Sequence, residues 1–446
     1  MPGNDTNEYG AVFAAYQGSG TLRHKGGGED PCTFSAFQLR DGHIVLSLNL
    51  ELANPARYFE GTTLETIAGT TNDGHQFSAT GLSTAHSVQV TIDPPGICSE
   101  CRAQRIAVET SSTEATPQSR FAIVNLTLAN NDLVVEHPAG KARLRRVAGY
   151  EQVVRRFGTV KAIDVTAELH LEAPDRDSRE AAADDICALL SVARGTKIQW
   201  IAREDYTPSG DRLHRYHFSH VTKLFCPLPA IDPRKIEDTS RFLATAMRAY
   251  VERRENWGLS RGLLDAYLDA KSDIDYLQTR GVKLAVAMEM LKESFIQASG
   301  YQDLVRPRRE FRAMTQDLKN ALKKVMEQHH LDAPQRAIVY RNIEGLNRVP
   351  FENIVAALCT SIEMDVSDEH RKLFVKCRNS LVHTGRFYCE TADDHDRAEL
   401  PPHPGPVEAY CWLLHFLDRV LLRVVGYRGP YVDWSNPGAP VRRATF

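Results

Sequence analysis

The chain has no apolar run approaching the length of a membrane span, no P-loop, no Rossmann-type glycine fingerprint and no second Cys-x-x-Cys that would complete a zinc knuckle. Membrane passage, P-loop nucleotide hydrolysis and dinucleotide redox chemistry therefore lack support. A net charge of either sign is missing too: 54 Lys and Arg stand against 57 Asp and Glu, a formal −3. With no global field to hold a polyanion, any nucleic-acid contact has to be local. Cysteine is scarce and odd in number, nine in 446 residues, which fits reduced thiols better than a disulfide framework. Met1 to Gly10 is polar and lacks the charged-then-apolar order of a signal peptide, so the expected compartment is the cytoplasm, with no membrane partner.

A chain of 446 residues exceeds what one hydrophobic core usually serves, so two or more domains are expected. From Ala11 to about Leu171 the segments are short, rich in Val, Ile, Thr and Phe, and broken by Gly, Asn and Asp. His43 to Leu50, Ser87 to Ile92 and Phe121 to Leu128 show the alternation of strands with one buried face, stacked as a sandwich or rolled sheet. Asn130-Asn131-Asp132 reads as a hairpin turn between two such runs. A helix is expected over Ser178 to Arg194, then strands over Lys197 to Arg203 and Leu213 to Val221. Proline at Pro227-Leu228-Pro229 marks a change of period, which places a β-rich domain over 1–230 and a helical region over 231–446. The fold class expected is α+β: a sandwich-like β domain followed by an all-α bundle.

Asp232-Pro233 reads as the opening of the helical region, an N-cap followed by proline at the first turn. Its best helix starts at Ser272-Asp273, where Leu277, Leu284, Met288, Leu291 and Phe295 form the apolar stripe of a bundle helix. Further helices are expected over Arg308 to His329, Pro334 to Gly345, Phe351 to Glu363, Glu369 to His383 and Val407 to Val425, with a polar loop from Thr391 to Pro406.

Near the end of the helix expected over Glu369 to His383 stands Arg378-Asn379-Ser380-Leu381-Val382-His383. A histidine titrates near pH 6.5 and can take a proton from a ribose 2'-hydroxyl or give one to a leaving oxygen, while an arginine can hold the charge that gathers on phosphate. The same Arg-to-His spacing also occurs at Arg212 with His217 and Arg215 with His220, inside a stretch that reads as a strand. Context distinguishes the later match: it lies on a helix carrying Phe374, Cys377 and Leu381 on one face, with Gly385 as a stop. Asn379 and His383 are four apart and share a face, whereas Arg378 does not share it cleanly. Either the helix ends inside the motif or a second chain completes the site.

The Arg-Asn-x-x-x-His signature on a late helix of an all-helical region resembles that of the HEPN superfamily of ribonucleases. The resemblance covers about Asp232 or Ser272 to the C-terminus, with a core of about 272–430, and ends in Leu421 to Tyr427, which is similar to the final helix of ApeA-type phage-defence proteins. Ile67 to Gly74 and Gly20-Thr21-Leu22 are similar to the β-rich domain preceding HEPN in those proteins. The resemblance implies a metal-independent endoribonuclease that degrades RNA on infection and arrests growth. It implies a homodimer or higher homo-oligomer with a composite site, no cofactor and a phage-derived trigger. His383 would move the proton, Arg378 would steady the scissile phosphate, and Asn379 would orient groups or cap the helix. The rival reading is a non-catalytic HEPN-fold dimer that binds RNA or a phage product; a toxin silenced by a separate antitoxin is a third.

Arg306, Arg308, Arg309, Arg312 and Lys319, with Lys323 and Lys324, are candidates for RNA contact beside the motif. Arg143, Arg145, Arg146, Arg155, Arg156 and Lys161 surround Tyr150 and Phe157 in the β-rich part. For both clusters a solvated face is the default. Cys98 and Cys101 have the bite of half a zinc site, with His75, His86 or Cys32 able to complete it only through folding, against two ordinary thiols on a turn. His214, His217 and His220 alternate on the expected strand, which disfavours a three-histidine metal site. Glu289 and Glu293, one turn apart, read as surface glutamates. Asp393, Asp394, His395 and Asp396 fall in the polar loop and are assigned no chemistry.

Overall fold

Alternation of side chains sets the first half of the fold. In β3 (Ile44–Leu50), Ile44, Leu46 and Leu48 are fully buried, while Val45, Ser47 and Asn49 on the opposite face are not. The computed structural model describes residues 12–25, 27–50, 64–92, 95–130, 132–160, 163–219, 228–272, 274–391, 405–435 and 442–444.

Around β3 lie β1 (Val12–His24), β2 (Glu29–Leu39), β4 (Leu64–Thr71), β5 (Gln76–Thr80), β6 (Ser83–Ile92), β7 (Pro95–Arg102) and β8 (Arg105–Glu109). The other strands of the same sheet are β9 (Gln118–Val124), β10 (Asp132–His137), β11 (Gly140–Arg146), β12 (Val165–Glu172), β13 (Gln199–Tyr206) and β14 (Arg212–Phe218). All fourteen join one sheet in the order β10-β11-β12-β9-β13-β14-β8-β5-β4-β1-β2-β3-β7-β6. Every pairing described within it is antiparallel.

The sheet curls. Leu22, Phe34, Leu46, Ile67, Phe77 and Ile106 belong to one buried cluster built from strand residues and their connections, with no helix residue in it. A single sheet buries such a face only by folding over on itself. Tyr16 of β1 and His217 of β14, separated in the sheet by three strands, meet at 2.7 Å from Oη to Nε2. Gln38 of β2 donates through Nε2 to the Ile201 carbonyl of β13 at 2.9 Å and accepts through Oε1 from His217 Nδ1 at 2.6 Å. The other end of the sheet is covered by a helix, α2 (Arg176–Arg194), after α1 (Tyr150–Val160). Asp175 caps α2 by accepting from the Ser178 N–H, and Ala182, Ala183, Ile186, Leu189 and Leu190, all at 0 % exposure, pack toward β12 and β13.

The expected hairpin at 130–132 is not formed. The strand expected over 121–128 stops at Val124, where Asn125 takes a left-handed φ of 64°, and β9 pairs with β12 and β13 rather than with β10. Asn131 itself lies outside the described residues, as do His220, Val221 and Pro227, on which the end of the last expected strand and the proline-marked boundary rest.

The chain packs as two compact units, one of Met1–Val251 with Gly429–Tyr431 and a second of Glu252–Arg428 with Val432–Phe446. Helix α3 (Ile236–Arg253) begins three residues after Pro233 and falls largely in the first unit, so the division comes after it. Change of period and division of packing are different boundaries here.

In the second unit, a π-helical turn at Leu259–Leu263 leads into α4 (Leu264–Lys271), which ends at Ser272. The main bundle helix, α5 (Leu277–Ser299), therefore starts four residues later than expected after Ser272-Asp273, although Leu284, Met288, Leu291 and Phe295 are buried as its periodicity implied. The single helix expected over 308–329 is two, α6 (Arg308–Met314) and α7 (Gln316–Gln328), because Thr315 sits at φ −91° and ψ 3° and turns its hydroxyl onto the Phe311 carbonyl at 2.8 Å. There follow α8 (Ala333–Gly345), α9 (Phe351–Ser361), α10 (Asp368–Thr384), the short α11 (Tyr388–Thr391) and α12 (Pro406–Val424). Helix α5 packs against α4, α9, α10 and α12. Residues 392–404, with Asp393, Asp394, His395 and Asp396, lie outside the described residues.

Candidate functional site

Helix α10 is bounded at both ends by local chemistry. Ser367 caps its start by accepting from the His370 N–H, and Gly385 ends it at φ 69°, donating its N–H to the Leu381 carbonyl. The helix therefore runs through the whole of Arg378 to His383, which removes the possibility that it breaks inside the motif. On a helix of 3.6 residues per turn Asn379 and His383 stand about 40° apart, and Arg378 and His383 about 140° apart.

Packing holds this end in place. Leu381 is 1 % and Phe387 0 % exposed, and both reach Gly281 near the start of α5. A Cβ at Gly281 would come within 2.7 Å of the Phe387 ring and 2.8 Å of Leu381 Cδ2, so the missing side chain is what allows the approach. Ser380 ties the turn down by donating to the Arg386 carbonyl at 3.0 Å.

Arg378 points inward. Its side chain is 15 % exposed, its Nη2 forms an ion pair with Glu289 of α5, and its Nη1 donates to Asn379 Oδ1 at 2.7 Å. The guanidinium lies 4.8 Å from the Phe351 ring centroid of α9, and its buried Nε has no hydrogen-bond partner among the described residues. The other Glu289 oxygen accepts from Lys292 Nζ at 3.0 Å, and the same ammonium reaches Glu293 at 2.9 Å. Burial works against the charge of Lys292, but the bonds to Glu293 and Glu289 outweigh it and hold the ammonium above its ordinary range. His383, by contrast, is exposed. The structure thus joins Arg378 to Asn379 and leaves His383 on the open side of the helix.

Glu289 is the residue that sequence reasoning passed over as a surface glutamate. The available signal was its i, i+3 relation to Lys292 beside the buried Met288–Leu291 stripe, which identifies a half-buried acid but not its partner 89 residues away.

Among the basic candidates, Arg306, Arg308, Arg309 and Arg312 are exposed, while Lys319 is half-buried and faces Glu344 at 3.5 Å, with Arg312 at 3.8 Å from the same carboxylate. They are distributed between the approach to α6, α6 itself and α7 rather than along one helix. In the β-rich unit, Arg143 and Arg145 pair with Asp132, and Arg146 donates to the Leu128 and Ala129 carbonyls while covering the Tyr150 ring. The side chains of Arg156, Phe157 and Lys161 lie outside the described residues.

Cys98 and Cys101 occupy β7, not a turn. Three positions apart on a strand, they point to opposite faces, and the bite expected of a Cys-x-x-Cys pair is not formed. Cys101 is 1 % exposed in the core of the curled sheet, and burial first, then Glu100, pushes its thiol up to about 12. His217, hydrogen-bonded through both ring nitrogens, is driven down to about 3 by burial and by Arg215 and Arg212, so it is a neutral core histidine at pH 7. Among the described residues no group of three or more His, Cys, Asp and Glu is placed to hold a metal ion, and no helix is long and apolar enough to cross a membrane. Comparison with protein-family models, curated proteins and solved structures finds no match for this chain.

Proposed function

We propose that the helical unit is a HEPN-type, metal-independent endoribonuclease with Arg378, Asn379 and His383 as its catalytic set. The observation that carries this reading is the end of α10, where Arg378 and Asn379 are hydrogen-bonded, His383 is exposed, and Leu381 and Phe387 anchor the helix. In the reaction, His383 takes the proton of a ribose 2'-hydroxyl. The 2'-oxygen attacks the adjacent phosphorus, the bond to the 5'-oxygen breaks, and the leaving oxygen takes a proton from the His383 imidazolium, which returns to the neutral base. The products are a 2',3'-cyclic phosphate and a 5'-hydroxyl. Arg378 steadies the charge on the phosphate oxygens. Because Arg378 and His383 diverge by about 140° on one helix, the complete site forms between two copies of the chain, with His383 of one acting beside the partner's Arg378. Arg306, Arg308, Arg309, Arg312 and Lys319 supply a local basic surface for the RNA backbone.

The biological setting rests on the resemblance alone: a cytoplasmic phage-defence protein whose β-rich unit senses or restrains, releasing RNA cleavage and growth arrest on infection. A second reading, a helical dimer that binds RNA or a phage product without cutting, draws on the engagement of Arg378 with Glu289. The test is RNA cleavage without divalent metal by wild type, His383→Ala and Arg378→Ala, with product ends analysed and with phage protection measured in cells. Cyclic-phosphate ends that disappear in both variants are expected. Undiminished protection by both variants would leave the binding reading.

A further inference from the structure

Glu289 and a phosphate compete for the same guanidinium edge. Arginine grips phosphate best through two parallel N–H bonds. In the structure Nη2 is taken by Glu289, Nη1 by Asn379, and one face of the guanidinium by Phe351, while Nε is buried. A two-bond grip on phosphate needs at least one of Nη1 and Nη2, and each of these already donates to a neighbouring side chain. The carboxylate is itself fixed, since Lys292 holds its second oxygen and is anchored in turn by Glu293. Glu289 is 30 % exposed and sits at the mouth of this arrangement rather than in the core, so the pair can open without unfolding the bundle.

We propose that Glu289 is a latch residue that holds Arg378 away from the scissile phosphate, and that the Glu289–Arg378 ion pair must open before RNA is cut. This rests on the ribonuclease reading of the motif. In the latched state Arg378 is a half-buried structural cation; in the open state its freed edge takes the phosphate and the carboxylate is left to Lys292. Glu289 does not touch RNA. Its effect is on the fraction of molecules in which Arg378 is available, which reduces apparent affinity by that fraction.

The test uses the full chain with Glu289→Gln, which is nearly isosteric, and Glu289→Asp, which keeps the charge one methylene short. A half-buried ion pair of this kind is worth on the order of a tenfold shift in an equilibrium. Glu289→Gln is therefore expected to raise kcat/KM for RNA about tenfold, mainly through KM, with Glu289→Asp between it and wild type. Labelling by a dicarbonyl reagent, read by mass spectrometry, gives an activity-independent measure: Arg378 is expected to be protected in wild type and reactive in Glu289→Gln. Equal labelling of Arg378 in the two proteins, or cleavage that falls in Glu289→Gln, overturns the latch and makes Glu289 a residue that orients Arg378. If wild type cuts RNA, His383→Ala does not, and Glu289→Gln gains nothing, the latch alone fails. If neither wild type nor Glu289→Gln cuts RNA, the ribonuclease reading fails and the latch falls with it.

Discussion

Replacing Lys271 with methionine should destabilise the helical unit far more than removal of a surface lysine. Lys271, the last residue of α4, and Asp418, in the middle of α12, are both 0 % exposed and meet at 2.8 Å. Tyr267 donates to the same carboxylate oxygen at 2.5 Å, and the Lys271 ammonium lies 4.5 Å from the Tyr267 ring centroid. Asp418 Oδ2 is buried with no hydrogen-bond partner among the described residues, and both donors converge on Oδ1. Lys271→Met would leave a desolvated carboxylate compensated by one hydroxyl, a loss of about 3–5 kcal/mol by comparison with broken buried pairs. Removing both charges together, as Lys271→Met with Asp418→Leu, deletes the uncompensated ion and should cost much less than the two single changes summed. Tyr267→Phe removes one charged hydrogen bond and should cost about 1.5–3 kcal/mol. Chemical denaturation followed by far-UV circular dichroism, with the helical transition fitted separately, measures all four variants, Asp418→Leu alone included. A cost below about 1 kcal/mol for Lys271→Met, or strict additivity in the double variant, would refute the assignment of a mutually dependent buried pair.

Two further outcomes follow from the packing. His217 has an imidazole at about 3 in the fold against 6.5 when exposed, so below pH 6.5 the unfolded chain binds a proton that the folded one refuses. Stability of the β-rich unit should fall as pH drops from 6.5 toward 3, by at most about 5 kcal/mol from this group; acid titration of His217→Gln should lose that part of the slope, and an unchanged slope would count against it. Gly281→Ala introduces a methyl group where Phe387 and Leu381 already sit, and should cost about 1–3 kcal/mol by overpacking. On the proposed ribonuclease reading the same change should also lower RNA cleavage by displacing the end of α10, and normal stability with normal cleavage would show that the notch is not needed.

What could be read in the amino-acid order is what short-range physics decides. The limits of α10 follow from Ser367 and Gly385, which satisfy helix-end groups within four residues. Burial in β3 follows from period two, and burial of Leu284, Met288, Leu291 and Phe295 follows from the helical period. The order of a β-rich part and then a helical part was legible for the same reason.

Tertiary structure alone decided which distant groups meet. Nothing local distinguishes a sandwich from one sheet that curls until Tyr16 reaches His217, 201 residues later in the chain. Nor does spacing tell that β9 leaves its neighbour β10 to pair with β12, or that Cys98 and Cys101 lie on a strand and face apart. Periodicity could mark Glu289 as an acid on the flank of a helix. Its pairing with Arg378 depends on α5 and α10 packing through Gly281, and such a contact is selected by shape and burial over the whole bundle rather than by any run of neighbours.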